Sequence, residues 1–368
     1  MKKLRLWFNC MQTYLFPKLE EALGQLSPKE EKFVQIVELC ELEKHLDGYQ
    51  WQGQGRKRSS RLNLVKAFIA KAVWNLPTTE ALIDQIKAAP TLRRLCGWET
   101  TAEVPDRSTF SRAFAQFSEG NLPQNIHKAL IENNLRDQII GHASIDSTAI
   151  EGREKPEPSN EPSSQTPKEP KKRGRPRKDQ PRPEPEPKRL DLQSARSLEE
   201  NIMDLPTACN VGSKRNSKGH KESWIGFKLH ISSTDFDLPL CAILTSASLH
   251  DSQVAIPLMQ MTAQRTPATL YDLMDAAYDA PQIADFSRAL GHCPIIDPNP
   301  RRSKNPRLLD PHEKERFKER SSVERVNSNL KDNWGGRFVR VKGATKVACH
   351  LMFGILAMSA DKLIALLA

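Results

Sequence analysis

The chain reads as an α/β protein, a mixed sheet flanked by helices and preceded by an all-helical region. Three features of the sequence predict this. Apolar residues recur at three and four spacing through residues 1–138, the period of helices that bury one face. After residue 200, β-rich apolar runs alternate with helical stretches, the pattern of a layered fold with parallel pairing in part of the sheet. Between them, residues 151–199 are rich in Pro and charge and nearly devoid of apolar side chains, so they cannot bury enough surface to offset their ordering entropy.

The opening, "MKKLRLWFNCMQTYLF", is basic and then partly apolar. Asn9, Gln12 and Thr13 interrupt the run and no small-residue cleavage site follows, so a helix of the mature protein is expected there. "LVKAFIAKAVWNLPTTEALIDQIKAA" carries the helical period, with Pro77 and the Thr pair marking a turn. "VPDRSTFSRAFAQF" opens a helix after Pro105, capped by Asp106 or Ser108, with Arg107 and Arg112 near its start. It is either a helix-turn-helix element contacting DNA or a capped packing helix with two surface arginines. "QIIGHASIDSTAI" adds an apolar strand that ends at Asp146. The Pro-rich stretch therefore interrupts a domain: residues 139–150 and 200–368 form one unit, 1–138 a helical one, and 151–199 a disordered insertion.

Beyond the insertion, "SWIGFKLHIS" and "LPLCAILTSAS" flank the turn residues of "STDFDLP" and predict a hairpin. "HDSQVAIPLMQMTAQ" reads as a capped helix, "ATLYDLMDAAY" as a buried strand, "APQIADFSRAL" as a helix and "HCPIID" as a short strand. "ERSSVERVNSNLK" as a helix stacks Arg320, Glu324, Asn327 and Lys331 on one side. "ACHLMFGILAMSADKLIALLA" approaches the length of a membrane span, but His350, Ser359, Asp361 and Lys362 mark a buried or amphipathic helix, so no membrane partner is expected.

The formal net charge of +10, from 55 Lys and Arg against 45 Asp and Glu, favours a polyanionic partner, with nucleic acid ahead of anionic membrane. Seven cysteines without a close pair argue against a zinc knuckle or a disulfide framework and for a reducing cytoplasm. Within the insertion, "KKRGRPRK" resembles an AT-hook, which would insert Arg173 and Arg175 into a narrow A/T minor groove. A basic linker with nonspecific phosphate attraction is the alternative.

Three acids fall at telling places: Asp146 late in the first strand, Asp275 at the end of a later one, and Glu324 on the charged helix. Open α/β sheets put their sites at strand ends. Carboxylates brought together repel and raise one another's pKa, and bound divalent cations are the natural compensation. Two Mg²⁺ (or Mn²⁺) ions would then suit phosphodiester displacement. Asp272 and Asp279 are rivals for the second position, Asp272 pointing to the other strand face and Asp279 reading as a helix cap.

From Ile145 onward the order "IDST", "WIGFKLH", "LHDS", "DLMDAAYDA" and "FKERSSVERVNSNLK" resembles an RNase H-like DDE transposase of bacterial insertion sequences. The family's signature helix has Tyr, Arg, Glu and Lys spaced as Y-x2-R-x3-E-x6-K, met here by Phe317, Arg320, Glu324 and Lys331. Phe at the Tyr position removes a phenol and any hydrogen bond it would make. "VPDRSTFSRAF" is similar to the N-terminal segment of the same enzymes. The resemblance implies that Asp146, Asp275 and Glu324 bind the metal ions and that Arg320 and Lys331 grip phosphates of the transposon end. It also implies an RNase H-like catalytic domain, transposon-end and target DNA as partners, a homodimer or larger assembly on DNA, and a cytoplasmic, nucleoid-associated protein. Lys228, His230, His250 and Asp251 match recurring family positions, with packing or surface roles as the alternative, while Trp224 and Trp334 are expected to pack. An RNase H-like nuclease without strand transfer and a non-catalytic DNA-binding derivative are the rival readings.

Overall fold

The structure is a computed structural model that describes residues 2–49, 51, 53, 58–157, 187–215, 219–299 and 307–367. The first half is helical, as its periodicity predicts. Helices α1 (Lys2–Cys10) and α2 (Phe16–Leu23) are joined by a π turn, and α3 (Pro28–Leu39) starts at a capping box in which Ser27 and Glu30 satisfy each other's backbone N–H groups. Helices α4 (Arg61–Val73) and α5 (Thr79–Ala88) are capped by the hydroxyls of Ser60 and Thr78. They are followed by α6 (Pro90–Leu95), α7 (Arg107–Glu119) and α8 (Leu122–Leu135). Neither residue expected to cap α7 does so: Asp106 makes no side-chain cap bond, and the Ser108 hydroxyl instead accepts from the Arg112 guanidinium at 3.2 Å.

Strand β1 (Ile140–Glu151) does not stop at Asp146, because its antiparallel neighbour continues the ladder from Thr234 down to Gly226. Helices α9 (Arg189–Gln193) and α10 (Leu198–Met203) lead into β2 (Asn210–Arg215), a strand the sequence reading missed, and then into the β3 (Lys221–Thr234) and β4 (Pro239–Ser246) hairpin. Helix α11 (Ser252–Arg265), β5 (Thr269–Met274), α12 (Pro281–Ala289) and β6 (Cys293–Ile296) follow as expected. The chain then forms α13 (Pro311–Phe317), α14 (Ser321–Asn333) and α15 (Ala344–Ala365). One mixed sheet results, in which β1 lies between antiparallel β3 and parallel β5, with β6 parallel to β5 and both β2 and β4 paired to β3. This is the α/β arrangement the sequence predicts. At Gly226, φ is +152° and an added Cβ would stand 2.1 Å from the Ile150 carbonyl oxygen, so only glycine lets β3 approach β1 there.

Of the expected insertion, residues 158–186 lie outside the described residues, and Arg173 and Arg175 with them. Its last part is helical instead, because Gln193 is buried and donates to the Gln253 carbonyl on α11 at 2.7 Å while Arg189 pairs with Asp204 at 2.6 Å.

The two sheet faces have different covers. Ile145, Ile243 and Met274 pack under α11 and α12. Ala143, Ile150, Phe227 and Leu229 belong to a larger core shared with α14, α15 and the N-terminal helices. Helix α15 is apolar on every side through its buried middle, with charged residues near its ends, and is packed by α3, α4, α7 and α8 as well as by β4. It is long and apolar enough to cross a membrane by length and composition, with a mean hydropathy of 1.5, but most of that window is buried inside the protein. Elements from both halves of the sequence thus share one core.

Candidate active site

The ladder between β1 and β5 ends at Ile145 opposite Met274, so the next residue on each strand is an aspartate: Asp146 and Asp275 stand side by side at adjacent parallel strands. Asp275 turns the chain into a 3-10 segment, its carboxylate accepting from the Ala277 N–H at 2.9 Å. Burial pushes the Asp146 carboxyl up to about 7, helped by the charges of Asp275 and Asp251, while a backbone N–H and Arg320 act in the other direction. Asp275 is raised for the same leading reason, with Asp251 and Asp297 adding to it.

Helix α14 crosses the sheet beside these acids, tied to β1 where the Ser144 hydroxyl donates to the Glu319 carbonyl at 3.4 Å. Arg320 sits at its start. Its guanidinium forms an ion pair with Glu324 one turn on, lies 5.8 Å over the Phe317 ring, and is close enough to lower both aspartates. Phe317 therefore supports Arg320 through its ring, a contact for which no phenol is needed. Glu324 is half exposed and is held by Arg320 rather than by the strand-end pair. Among the described residues no group of three His, Cys, Asp or Glu side chains is assembled tightly enough to hold a metal ion. The donor chemistry of Asp146 and Asp275 nonetheless fits a divalent cation: two carboxyls whose charges are unfavourable where they stand. Glu324 would join them only on leaving Arg320.

Lys331 lies two turns beyond Glu324, its ammonium pulled down by burial and by Lys214 and Arg337, and pulled up by Glu151 and Asp332. Arg107 is exposed and pairs with Glu80 at 3.6 Å, and Arg112 bonds within its own helix, so both lie away from the acids.

The rivals for the second position have other work. Asp272 is buried and accepts from the Ser287 hydroxyl at 2.6 Å and the His292 Nδ1 at 2.9 Å. Asp279 is not a helix cap, since Ala280 precedes α12, and its carboxylate holds the backbone of residue 299 at 2.8 Å. Substituting Asp272→Ala leaves two buried partners unsatisfied. It is expected to lower stability by about 1–3 kcal/mol, read by thermal unfolding.

Asp297 and Tyr278 at the site escaped the sequence reading, and Asp251 entered it only as a family position with a packing or surface alternative. Asp251 does not cap α11 with its side chain but accepts from Lys228 Nζ at 2.9 Å, close enough to raise both aspartates. Asp297 follows β6 directly, and the strand-end rule that found Asp275 also points to it. Tyr278 is buried with its hydroxyl unpartnered, and burial and the neighbouring aspartates hold it well above its usual range. His230 is a buried core residue bonded to Thr245 at 2.9 Å, and Trp334 is buried as expected.

A family model described as a transposase DDE domain matches residues 139–359, and a second, described as a transposase domain, matches residues 21–116. No curated protein and no solved structure gives a match to the chain.

Proposed function

Because the chain belongs to the transposase DDE domain family and so acts in DNA transposition, we propose that it binds the ends of a mobile element, cleaves their phosphodiesters and joins them to target DNA. The observation that carries this reading is the strand-end pair: Asp146 and Asp275 adjacent on parallel strands, with Glu324 on the helix that crosses beside them. These acids are the proposed ligands of divalent Mg²⁺ or Mn²⁺. When bound, such cations supply Lewis-acid polarisation of phosphate oxygens and an activated oxygen nucleophile.

The chain's own residues prepare the site. Arg320 offsets part of the charge of Asp146 and Asp275 and holds Glu324 one turn along α14. Lys228 secures Asp251, also bonding the Leu249 carbonyl at 2.8 Å, and so limits the negative charge facing the pair. When DNA phosphates arrive, Arg320 has a competing anion and Glu324 is released toward the aspartates. Lys331, on the same helix, takes a phosphate further along the duplex. A dimer or larger assembly brings two ends together.

The test uses a supercoiled plasmid carrying the DNA that flanks the gene on both sides, incubated with Mg²⁺. Wild type is expected to excise and rejoin the element, whereas Asp146→Ala, Asp275→Ala and Glu324→Ala bind but do not cut. Cutting without any joined product would leave a nuclease. Arg320→Gln and Lys331→Gln are each expected to lower the salt slope of DNA binding by about one, as counterion release requires. Unchanged slopes would return them to surface ion-pair roles.

A further inference from the structure

Away from the acids, a cavity of about 330 Å³ opens where the helical region meets the end of the sheet domain. Its walls come from α4, the start of α7, the chain after β1, and the segment between α14 and α15. The charge is one-sided. Lys71, Arg107, Arg153, Arg340, Lys342 and Lys346 line it, against the single carboxylate of Glu80, which is engaged with Arg107. Among the described residues, Lys71, Arg153, Arg340, Lys342 and Lys346 have no carboxylate partner.

Lys71 is the telling member. It is buried, with 8% of its surface exposed, on a helix whose other buried residues are apolar. Burial pulls its ammonium down to about 8. A buried cation without a counterion is destabilising, since an ion gives up hydration and gains nothing in return until an anion arrives. Two of the exposed cations around it are held in place: Arg153 donates to the Arg340 carbonyl at 3.3 Å and Arg340 lies over the Phe338 ring at 5.8 Å, while Glu154 ties the segment by accepting from the Gly343 N–H at 3.0 Å. Two of the cavity's cations are thus fixed around the buried Lys71, with Lys342 and Lys346 beside them.

Its position agrees with a polymeric anion. The rest of β1, from Asp146 to Glu151, spans ~17 Å at about 3.3 Å per residue, and Arg153 follows it. Helix α14 carries Lys331 in the same direction, ~10 Å beyond Glu324 at 1.5 Å per residue, and the charge of Glu151 reaches Lys331. The acids, Lys331 and the cavity therefore follow one another along β1 and α14.

We propose that this junction cavity is a second DNA-backbone site, in which Lys71 and the cations around it bind a phosphodiester of the same duplex that reaches the acids. The inference rests on the reading of the chain as a DNA-cleaving transposase and names where that DNA is anchored.

Full-length protein is titrated with a duplex of about 30 base pairs at several salt concentrations, where each phosphate contact contributes a slope of about −0.9. An Arg340→Gln, Lys342→Gln, Lys346→Gln triple variant is expected to lose two to three units of slope and at least tenfold in affinity. A Lys18→Gln, Lys44→Gln control, outside the cavity, is expected to bind as wild type. Lys71→Met removes the charge but keeps the volume, so it is expected to fold with an unchanged or higher melting temperature and bind the duplex several-fold more weakly. A triple variant with wild-type slope that still cuts DNA overturns this inference and leaves the function standing. Failure of wild type to bind any duplex overturns both. Stabilisation of wild type by millimolar inorganic phosphate, with duplex binding unchanged in the triple variant, would make the cavity a free-anion site and overturn the DNA assignment.

Discussion

Asp146→Asn is expected to abolish DNA cleavage and, in the same protein, to raise folding stability. The two effects share one cause. Folding lifts this carboxyl from its ordinary 3.8 to about 7 because burial and the charges of Asp275 and Asp251 disfavour its ionised form. A raised value means that the group's contribution to stability is complete below pH 3.8, declines as the unfolded chain ionises, and is fully lost once pH passes about 7. The asparagine carries no such penalty. Its advantage over wild type should therefore be absent near pH 3.8, grow with pH, and level off above about 7. Solvent screening at a partly exposed carboxyl reduces the full linkage value, leaving about 1–3 kcal/mol. Thermal unfolding of both proteins across this range reads the effect. Adding Mn²⁺ at pH 8 should stabilise wild type more than the variant, which keeps the Asp275 carboxylate but lacks that of Asp146. A variant less stable than wild type at pH 8 would show that the carboxylate is held by contacts rather than strained by its surroundings.

Phe353→Ala is expected to destabilise the whole protein by about 3–5 kcal/mol, the range for removing a buried aromatic ring. Phe353 lies on α15, is 3% exposed, stacks on Phe68 of α4 at 5.6 Å and approaches Phe114 of α7 at 6.4 Å. Phe68 in turn meets Phe110 and Phe117 edge-on at 5.9 and 6.2 Å. The ring therefore joins helices separated from it by more than two hundred residues of chain to the sheet domain that follows. Chemical denaturation followed by tryptophan fluorescence and by far-UV circular dichroism should show both signals moving together to lower denaturant. Residues 1–138 expressed alone should lack a cooperative transition, since α15 supplies the apolar surface on which α3, α4, α7 and α8 pack. An independently folding fragment would overturn this.

The sequence by itself determined most of the elements, though not β2, α9 or α10. Periods of 3.6 and 2 are local, so the helices before residue 138, the β3–β4 hairpin and the β5–α12–β6 run were legible from apolar spacing and turn residues. It also marked Asp146 and Asp275, because acids following apolar strand runs are local features too, and spacing aligned Arg320, Glu324, Asn327 and Lys331 on one side of a helix, whereas Phe317, placed with them by the resemblance, ends the preceding helix α13. Tertiary structure decided everything that depends on a partner distant in the chain. Strand β1 runs past Asp146 because β3 supplies its ladder, and Asp272 is structural because Ser287 and His292 reach it. Glu324 faces Arg320 rather than the aspartates, a choice between neighbouring charges that spacing leaves open. Asp251 and Tyr278 reach the acids only because α11 and the turn after β5 pack there. The unpaired charge of Lys71 is likewise invisible in a helical pattern, since burial is a property of the assembled core and not of the residue.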